Sequence, residues 1–91
     1  MRILFVDFDV GLRTKFIAKV EMLSKGKIFC ESAEGTHDAK SIIAVKNDFD
    51  VLIIVEMFPE INPVAIFDWA KIKNSKPPIA IVIHDGNMSD E

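Results

Sequence analysis

Cysteine and long apolar runs are both scarce in this chain. Cys30 is the only cysteine, so neither an internal disulfide nor a zinc cage of thiolates can form, and a reducing compartment is expected. No apolar run approaches the roughly 20 residues that cross a bilayer. The apolar stretch after Arg2 is broken at Asp7 and Asp9, unlike a secretion signal. These features predict a soluble, cytoplasmic protein with no membrane partner.

Basic residues and catalytic motifs are also sparse. The 11 basic residues are scattered, the net charge is −3, and no basic stripe carries interleaved aromatics, so this chain alone is not expected to bind nucleic acid. Gly11 and Gly35 are isolated, and neither a dinucleotide-binding glycine motif, a P-loop nor a Ser-His-Asp set is present. An enzyme or small-molecule binder is therefore the least favoured of three hypotheses.

Short apolar runs alternate with helical patterns along the 91 residues, which fit one domain, 1–91. Four short runs of β-forming residues predict strands at 2–6, 27–31, 51–55 and 79–83, and the weaker apolar content of the second suits an edge strand. Helices are predicted after Asp9, after Gly35 and after Asn62-Pro63, with apolar stripes at Leu12, Phe16, Val20 and Leu23 in the first and at Ala39, Ile42 and Ile43 in the second. This alternation predicts a parallel sheet with helices on both faces, followed by a polar, frayed tail after the fourth strand.

Four segments together resemble the receiver domain of two-component response regulators: FVDFDVGLR, SAEGTHDA, VLIIVEMFPEIN and PPIAIVI. The resemblance covers nearly the whole chain. It implies a flavodoxin-like three-layer α/β sandwich with a parallel sheet of four strands in the order 2-1-3-4. Compared with the family, the last helix, strand and helix are lacking. If these residues are the front part of a longer protein, a later segment can complete the sheet.

The resemblance also locates a degenerate phosphorylation pocket at Asp7, Phe8, Val55, Glu56 and Ile83. Receivers hold Mg²⁺ with an acidic pair after the first strand and phosphorylate an aspartate that ends the third strand. Here Asp7 matches the first acid, Phe8 replaces the second, Val55 stands at the acceptor position and Ile83 replaces a hydroxyl residue. Phe8, Val55 and Ile83 are interpreted as core residues, and their hydrocarbon side chains cannot favour a phosphoryl dianion or Mg²⁺. No catalytic residue, metal or cofactor is therefore expected.

Neighbouring polar residues leave an alternative open. Glu56 should face away from Val55 unless the third strand has already ended there, because side chains alternate across a strand. Asp7, Asp9 and Glu56 can form at most a weak cation site, and His84 lacks a second ligand at useful spacing. The alternative function is a receiver switch phosphorylated at Glu56 or Asp7 with bound Mg²⁺.

The fourth strand and third helix together predict a contact surface. The fourth strand would form a long apolar edge of the sheet, and the third helix is apolar on two sides. The predicted interface residues are Ile61, Ala65, Trp69, Ile72, Ile79, Ile81 and Ile83. We expect a homodimer with antiparallel pairing of fourth strands, or a complex with another signalling protein. The favoured function is a phosphorylation-independent interaction module, a pseudo-receiver, in signal transduction or transcriptional regulation.

Overall fold

A four-stranded, all-parallel sheet organises the protein, with strand order β2-β1-β3-β4. The computed structural model describes residues 1–74 and 76–84. The strands are β1 (Arg2–Val6), β2 (Phe29–Ala33), β3 (Val51–Val55) and β4 (Ile79–Ile83), and the helices are α1 (Val10–Ser24), α2 (Thr36–Val45) and α3 (Pro63–Lys73). This arrangement confirms the predicted flavodoxin-like α/β fold. The predicted frayed tail, 84–91, lies outside the described residues except for His84.

Three strands begin and end where the sequence predicts, whereas β2 begins two residues later, at Phe29. The difference originates at the end of α1. Lys25 and Gly26 both have positive φ, 55° and 77°, and their amides bond back to the last turn of the helix. Residues 27–28 then complete the reversal before Phe29 pairs with Arg2. The chain therefore needs more length to turn than the position of Gly26 indicates.

Side-chain caps and a small clasp fix the starts of the helices. Asp9 Oδ1 accepts a hydrogen bond from the Leu12 amide at 3.1 Å, and Asn62 caps α3 in the same way. The start of α2 has no side-chain cap. Instead, the Thr36 amide donates to the Glu60 carbonyl at 3.0 Å, and the Thr36 hydroxyl accepts from the Asn62 amide at 2.7 Å. The beginnings of α2 and α3 are thus tied together.

Helices α2 and α3 cover one face of the two central strands, β1 and β3. Alternate residues of the two central strands point toward these helices and have no exposed surface: Leu4, Val6, Leu52 and Ile54. The helices contribute Ala39, Ile43, Ile66 and Ala70, and the loops contribute Phe49 and Ile61. This face holds the hydrophobic core.

Of the described elements only α1 lies on the other face, and no residue of α1 is buried. Phe16 stacks on Phe5 with ring centroids 4.1 Å apart. The predicted apolar stripe is wrong in part, because Leu12 and Leu23 are exposed while Phe16 and Val20 are half-buried. A helix about 10 Å wide covers only about two strands spaced about 4.8 Å apart. Because α1 packs mainly on β2 and reaches β1 through the Phe16–Phe5 stack, the described helices leave this face open over β3 and β4.

Within the described residues, none of the helices combines the length and the apolar character that crossing a membrane would require.

Candidate functional site

An open groove of about 700 Å³ lies between α1 and the carboxyl ends of β3 and β4. Its floor and walls are mostly hydrocarbon, and polar groups lie at one end and along one rim. The lining residues are Phe5, Asp7, Leu12, Lys15, Phe16, Lys19, Val55, Glu56, Met57, Ile83 and His84. The groove occupies the part of the sheet that α1 leaves uncovered.

Alternating residues of β3 and β4 build the floor of this open face. Val55 pairs with Ile83 and Ile53 pairs with Ile81 in the parallel register. The exposed fractions of Ile81 and Ile83 are 48% and 44%. Val55 is half-buried. These side chains therefore remain in contact with water. A second layer of structure would normally cover side chains on this face of a sheet.

Asp7 is held by its own turn at the carboxyl end of β1. Its side-chain Oδ1 accepts from the Asp9 amide at 3.0 Å, and its backbone amide donates to the Ala33 carbonyl at 3.1 Å. The Arg13 guanidinium donates to the Asp7 carbonyl at 2.7 Å. The Asp7 side chain is nearly buried. These bonds give the Asp7 carboxylate a structural role in connecting β1 to α1.

Glu56 lies in the groove because β3 ends at Val55. The sequence predicts that Glu56 faces the same side as Val55 only if the third strand has already ended at that point. The Glu56 amide donates to the Ile83 carbonyl at 2.9 Å, and the Glu56 carboxylate pairs with Nδ1 of His84. Glu56 and His84 therefore form one polar end of the groove, beside Asp7.

The interpretation of Phe8, Val55 and Ile83 as core residues is wrong. Phe8 is 47% exposed and lines a separate hollow near the start of α2, with Glu60 on its other side. Ile83 is exposed and Val55 is only half-buried. Four of the five pocket residues predicted from the sequence thus share the groove, and Phe8 does not. The groove is an open apolar surface because none of the described elements covers β3 and β4 from this side.

The three acids considered as a weak cation site do not form a cluster of ligands. In the described part of the chain, no group of three or more His, Cys, Asp or Glu side chains is arranged to hold a metal ion. Asp9 turns toward the Leu12 amide as the cap of α1, and Glu56 turns toward His84. Each carboxylate already has a partner that explains its position.

Two lysines on the rim of the groove were missed in the sequence. Lys15 and Lys19 are exposed, lie one turn apart on α1 and both line the groove. Neither takes part in an ion pair with a described residue. Their four-residue spacing places both lysines on one side of α1 and was visible in the sequence. The sequence did not show that this side of α1 borders an open groove.

The predicted interface on α3 requires correction. Ile61 has no exposed surface and belongs to the core. Trp69 packs against the core, and its indole N–H donates to the Lys40 carbonyl of α2 at 3.1 Å. Ala65 is partly buried, whereas Ile72 is 75% exposed. The indole faces inward because α2 packs beside α3, and a helix with a neighbour needs apolar residues on two sides.

The outer edge of β4 is unpaired within the described residues, where β4 bonds only to β3. The Ile79 amide donates to Asp50 and the Ile83 carbonyl accepts from Glu56, so the odd-numbered residues of β4 bond to β3. By alternation, the backbone groups of Ala80 and Val82 point to the edge. Among side chains of β4, Ile79, Ile81, Val82 and Ile83 are exposed.

Cys30 lies on β2, away from the groove. Burial raises the pKa of its thiol from 9.0 to about 11, and the negative charges of Glu21 and Glu31 act in the same direction. The thiol therefore stays protonated at neutral pH and is a poor nucleophile.

Comparisons with known proteins identify no relatives. No protein-family model matches the chain, and searches of curated proteins and of solved structures give no significant match. The geometry of the chain's own residues must carry any functional argument.

Proposed function

We propose that this protein is a phosphorylation-independent interaction module, a pseudo-receiver that docks a partner in cytoplasmic signal transduction or transcriptional regulation and has no catalytic activity. The observation that carries the proposal is the apolar groove where β3 and β4 end. In parallel α/β sheets, ligands bind at the carboxyl ends of the strands. At this position the chain offers hydrocarbon side chains, which favour contact with another apolar surface.

The same hydrocarbon argues against phosphoryl chemistry. Val55 has no nucleophilic atom, and Ile83 has no hydroxyl group that can bind a phosphoryl oxygen. A dianion placed against these side chains would lose hydration without gaining hydrogen bonds, which is strongly unfavourable. The resemblance to receivers therefore supports a shared fold with a different use of the site.

Docking on this surface has a favourable energy. Burial of apolar surface contributes about 25 cal/mol per Å², so covering roughly 300 Å² would contribute about 7 kcal/mol before the entropy cost of association. Ile79 is 67% exposed, and Ile81 and Ile83 follow it on the same face of β4. A small domain gains substantially from covering such a patch.

The competing function is a receiver switch phosphorylated at Glu56 or Asp7 in the presence of Mg²⁺. It is supported by the position of both carboxylates at one end of the groove. The existing partners of both carboxylates oppose this function, because Glu56 pairs with His84 and Asp7 accepts a hydrogen bond from the Asp9 amide. Phosphorylation of either residue would break these bonds.

Mass spectrometry of the intact protein after incubation with acetyl phosphate and Mg²⁺ separates these functions. We expect an unchanged mass. A gain of about 80 Da per chain that is lost in Glu56→Gln or Asp7→Asn would refute the proposal and establish the switch. The same treatment of a phosphorylatable receiver domain serves as the positive control.

Light scattering of the isolated chain then distinguishes the two kinds of partner. A dimer that Ile81→Glu dissociates would establish self-association at β4, as antiparallel pairing of two edges allows. A monomer at micromolar concentration assigns the groove to a different protein. The two lysines on the rim of the groove favour a different protein, one with an acidic surface.

A further inference from the structure

We propose that the groove binds an amphipathic helix of another protein, whose acidic side chains, one turn apart, pair with Lys15 and Lys19. The inference rests on the proposed docking function and specifies the partner. It follows from the width of the open surface, its length and its charge.

The width of the open surface matches one helix. The opposite face of the same sheet needs two helices, α2 and α3, to reduce the exposure of Leu52 and Ile54 to zero. On the groove side α1 packs on β2 and, through Phe16, on Phe5 of β1, so the open surface over β3 and β4 is about two strands wide. Two strands span about 10 Å, which is the diameter of a helix. A second helix beside α1 would make the two faces equivalent.

The length of the surface sets the length of the bound helix. Strands β3 and β4 have five residues each. At about 3.3 Å per residue they span roughly 17 Å, which corresponds to about 11 residues of helix at 1.5 Å per residue. The helices on the opposite face have 10 and 11 residues. A partner segment of three turns is therefore sufficient.

The charge of the rim selects an acidic helix. Lys15 and Lys19 lie about 6 Å apart along α1, because they are four residues apart and each residue rises by about 1.5 Å. Two carboxylates at positions i and i+4 of a helix lying beside α1 have the same spacing. The other polar groups of the groove, Asp7 and the Glu56–His84 pair, lie at one end and add negative charge there. The acids of the partner are thus directed to the α1 rim and away from that end.

Charge also argues against a second copy of this chain as the occupant. The sequence of α1 contains three basic residues and one acid, and that of α3 contains two basic residues and one acid. Helix α2 has one residue of each sign apart from histidine, so it has no excess of acids, and two of its apolar residues, Ala39 and Ile43, are buried. None of the three described helices presents both an exposed apolar stripe and an excess of acids. Placing another α1 beside Lys15 and Lys19 would bring like charges together.

Fluorescence anisotropy with two designed peptides tests the proposal on the intact chain. The probe is a fluorescein-labelled helix of about 14 residues with leucines along one stripe and a flanking pair of glutamates at i and i+4. The control peptide carries lysines in place of the glutamates. We expect the acidic peptide to bind at least tenfold more tightly at low salt, and the difference to shrink as salt is added.

Matched variants locate the binding site. Ile83→Asp should abolish binding, whereas Val82→Asp should preserve it, because Val82 is a neighbouring exposed residue of β4 on the opposite face. The double variant Lys15→Glu/Lys19→Glu should reverse the preference between the two peptides. Circular dichroism of each variant checks that the fold is retained.

Three results would overturn the inference: no binding of the acidic peptide, equal affinity for both peptides, or equal loss of binding in the Ile83 and Val82 variants. A segment of the same chain that already fills the groove would produce the first result. None of these outcomes depends on phosphorylation. The inference can therefore fail while the mass of the protein stays unchanged with acetyl phosphate, which separates its failure from failure of the proposed function.

Discussion

The two faces of the sheet differ in how completely they are covered. On the α2/α3 face, Leu52 and Ile54 have no exposed surface, and Trp69 joins the two helices through its hydrogen bond to Lys40. On the α1 face, Ile81 and Ile83 of the adjacent strand remain exposed. The sheet thus carries a buried core on the α2/α3 side of its central strands and an open apolar surface on the α1 side of β4.

This difference separates the part of the molecule that stabilises the fold from the part available for binding. Buried apolar side chains contribute to the free energy of unfolding, whereas exposed ones contribute only when something covers them. Both faces of β3 carry only aliphatic side chains. Position in the sheet, and not residue type, therefore decides which role each residue has.

Truncation of a core residue should give the largest effect on stability. Leu52→Ala removes a side chain with no exposed surface and should lower the free energy of unfolding by about 3 kcal/mol. Ile81→Ala on the open face should cost less than about 1 kcal/mol. Urea denaturation followed by circular dichroism measures both values. Equal losses in the two variants would show that the open face is covered in solution.

Changing Trp69 should destabilise the fold and not merely an interface. Trp69→Asp removes the contacts of the indole with the core and its bond to the Lys40 carbonyl, and should cost about 2–3 kcal/mol. Ile72→Asp, on the exposed side of α3, should change stability by less than about 0.5 kcal/mol. Thermal melts compare the two. If Trp69→Asp leaves the stability unchanged, Trp69 faces outward as the sequence predicts, and the inward position is contradicted.

Removing a helix cap should affect stability differently on the two faces of the sheet, and by less than the core substitutions do. Asn62→Ala and Asp9→Ala each remove a side-chain cap worth about 1 kcal/mol. Because α3 is packed into the core, loss of Asn62 should lower global stability. Since α1 buries no residue, loss of Asp9 should mainly increase local opening of α1. Amide hydrogen exchange distinguishes the two outcomes, and equal global losses would contradict the contrast.

Cys30 should give the smallest effect and only at alkaline pH. Its pKa is raised from 9.0 to about 11 in the folded protein, so the unfolded chain loses the proton first. The associated stability is fully present below pH 9 and is lost as pH rises toward 11. At pH 8, a disulfide reagent should react about a hundredfold more slowly with the folded protein than in denaturant. Equal rates would contradict the raised pKa.

The fold could be predicted from the sequence because its signals are local. Val51–Val55 and Ile79–Ile83 are short β-branched runs, and Asn62-Pro63 defines the start of α3. The alternation of strands and helices then determines the parallel sheet. The start of β2 at Phe29 was missed because the left-handed turn at Lys25 and Gly26 uses extra residues that no apolar pattern marks.

The site was less predictable because it depends on which elements are neighbours. The sequence identified Val55, Glu56 and Ile83, and all three line the groove. It could not show that Phe8 turns away or that α2 covers Trp69. Periodicity indicates that a helix has apolar sides, but it does not indicate what lies against each side.

Solvent paramagnetic relaxation of isoleucine methyl groups tests the central contrast most directly, because it compares residues of one type in a single sample. With a soluble gadolinium chelate, we expect strong attenuation of the methyl signals of Ile79, Ile81 and Ile83 and protection of those of Ile43, Ile54 and Ile66. Methyl groups of Ile81 and Ile83 as well protected as that of Ile54 would contradict the account, because they would show that the groove is already covered.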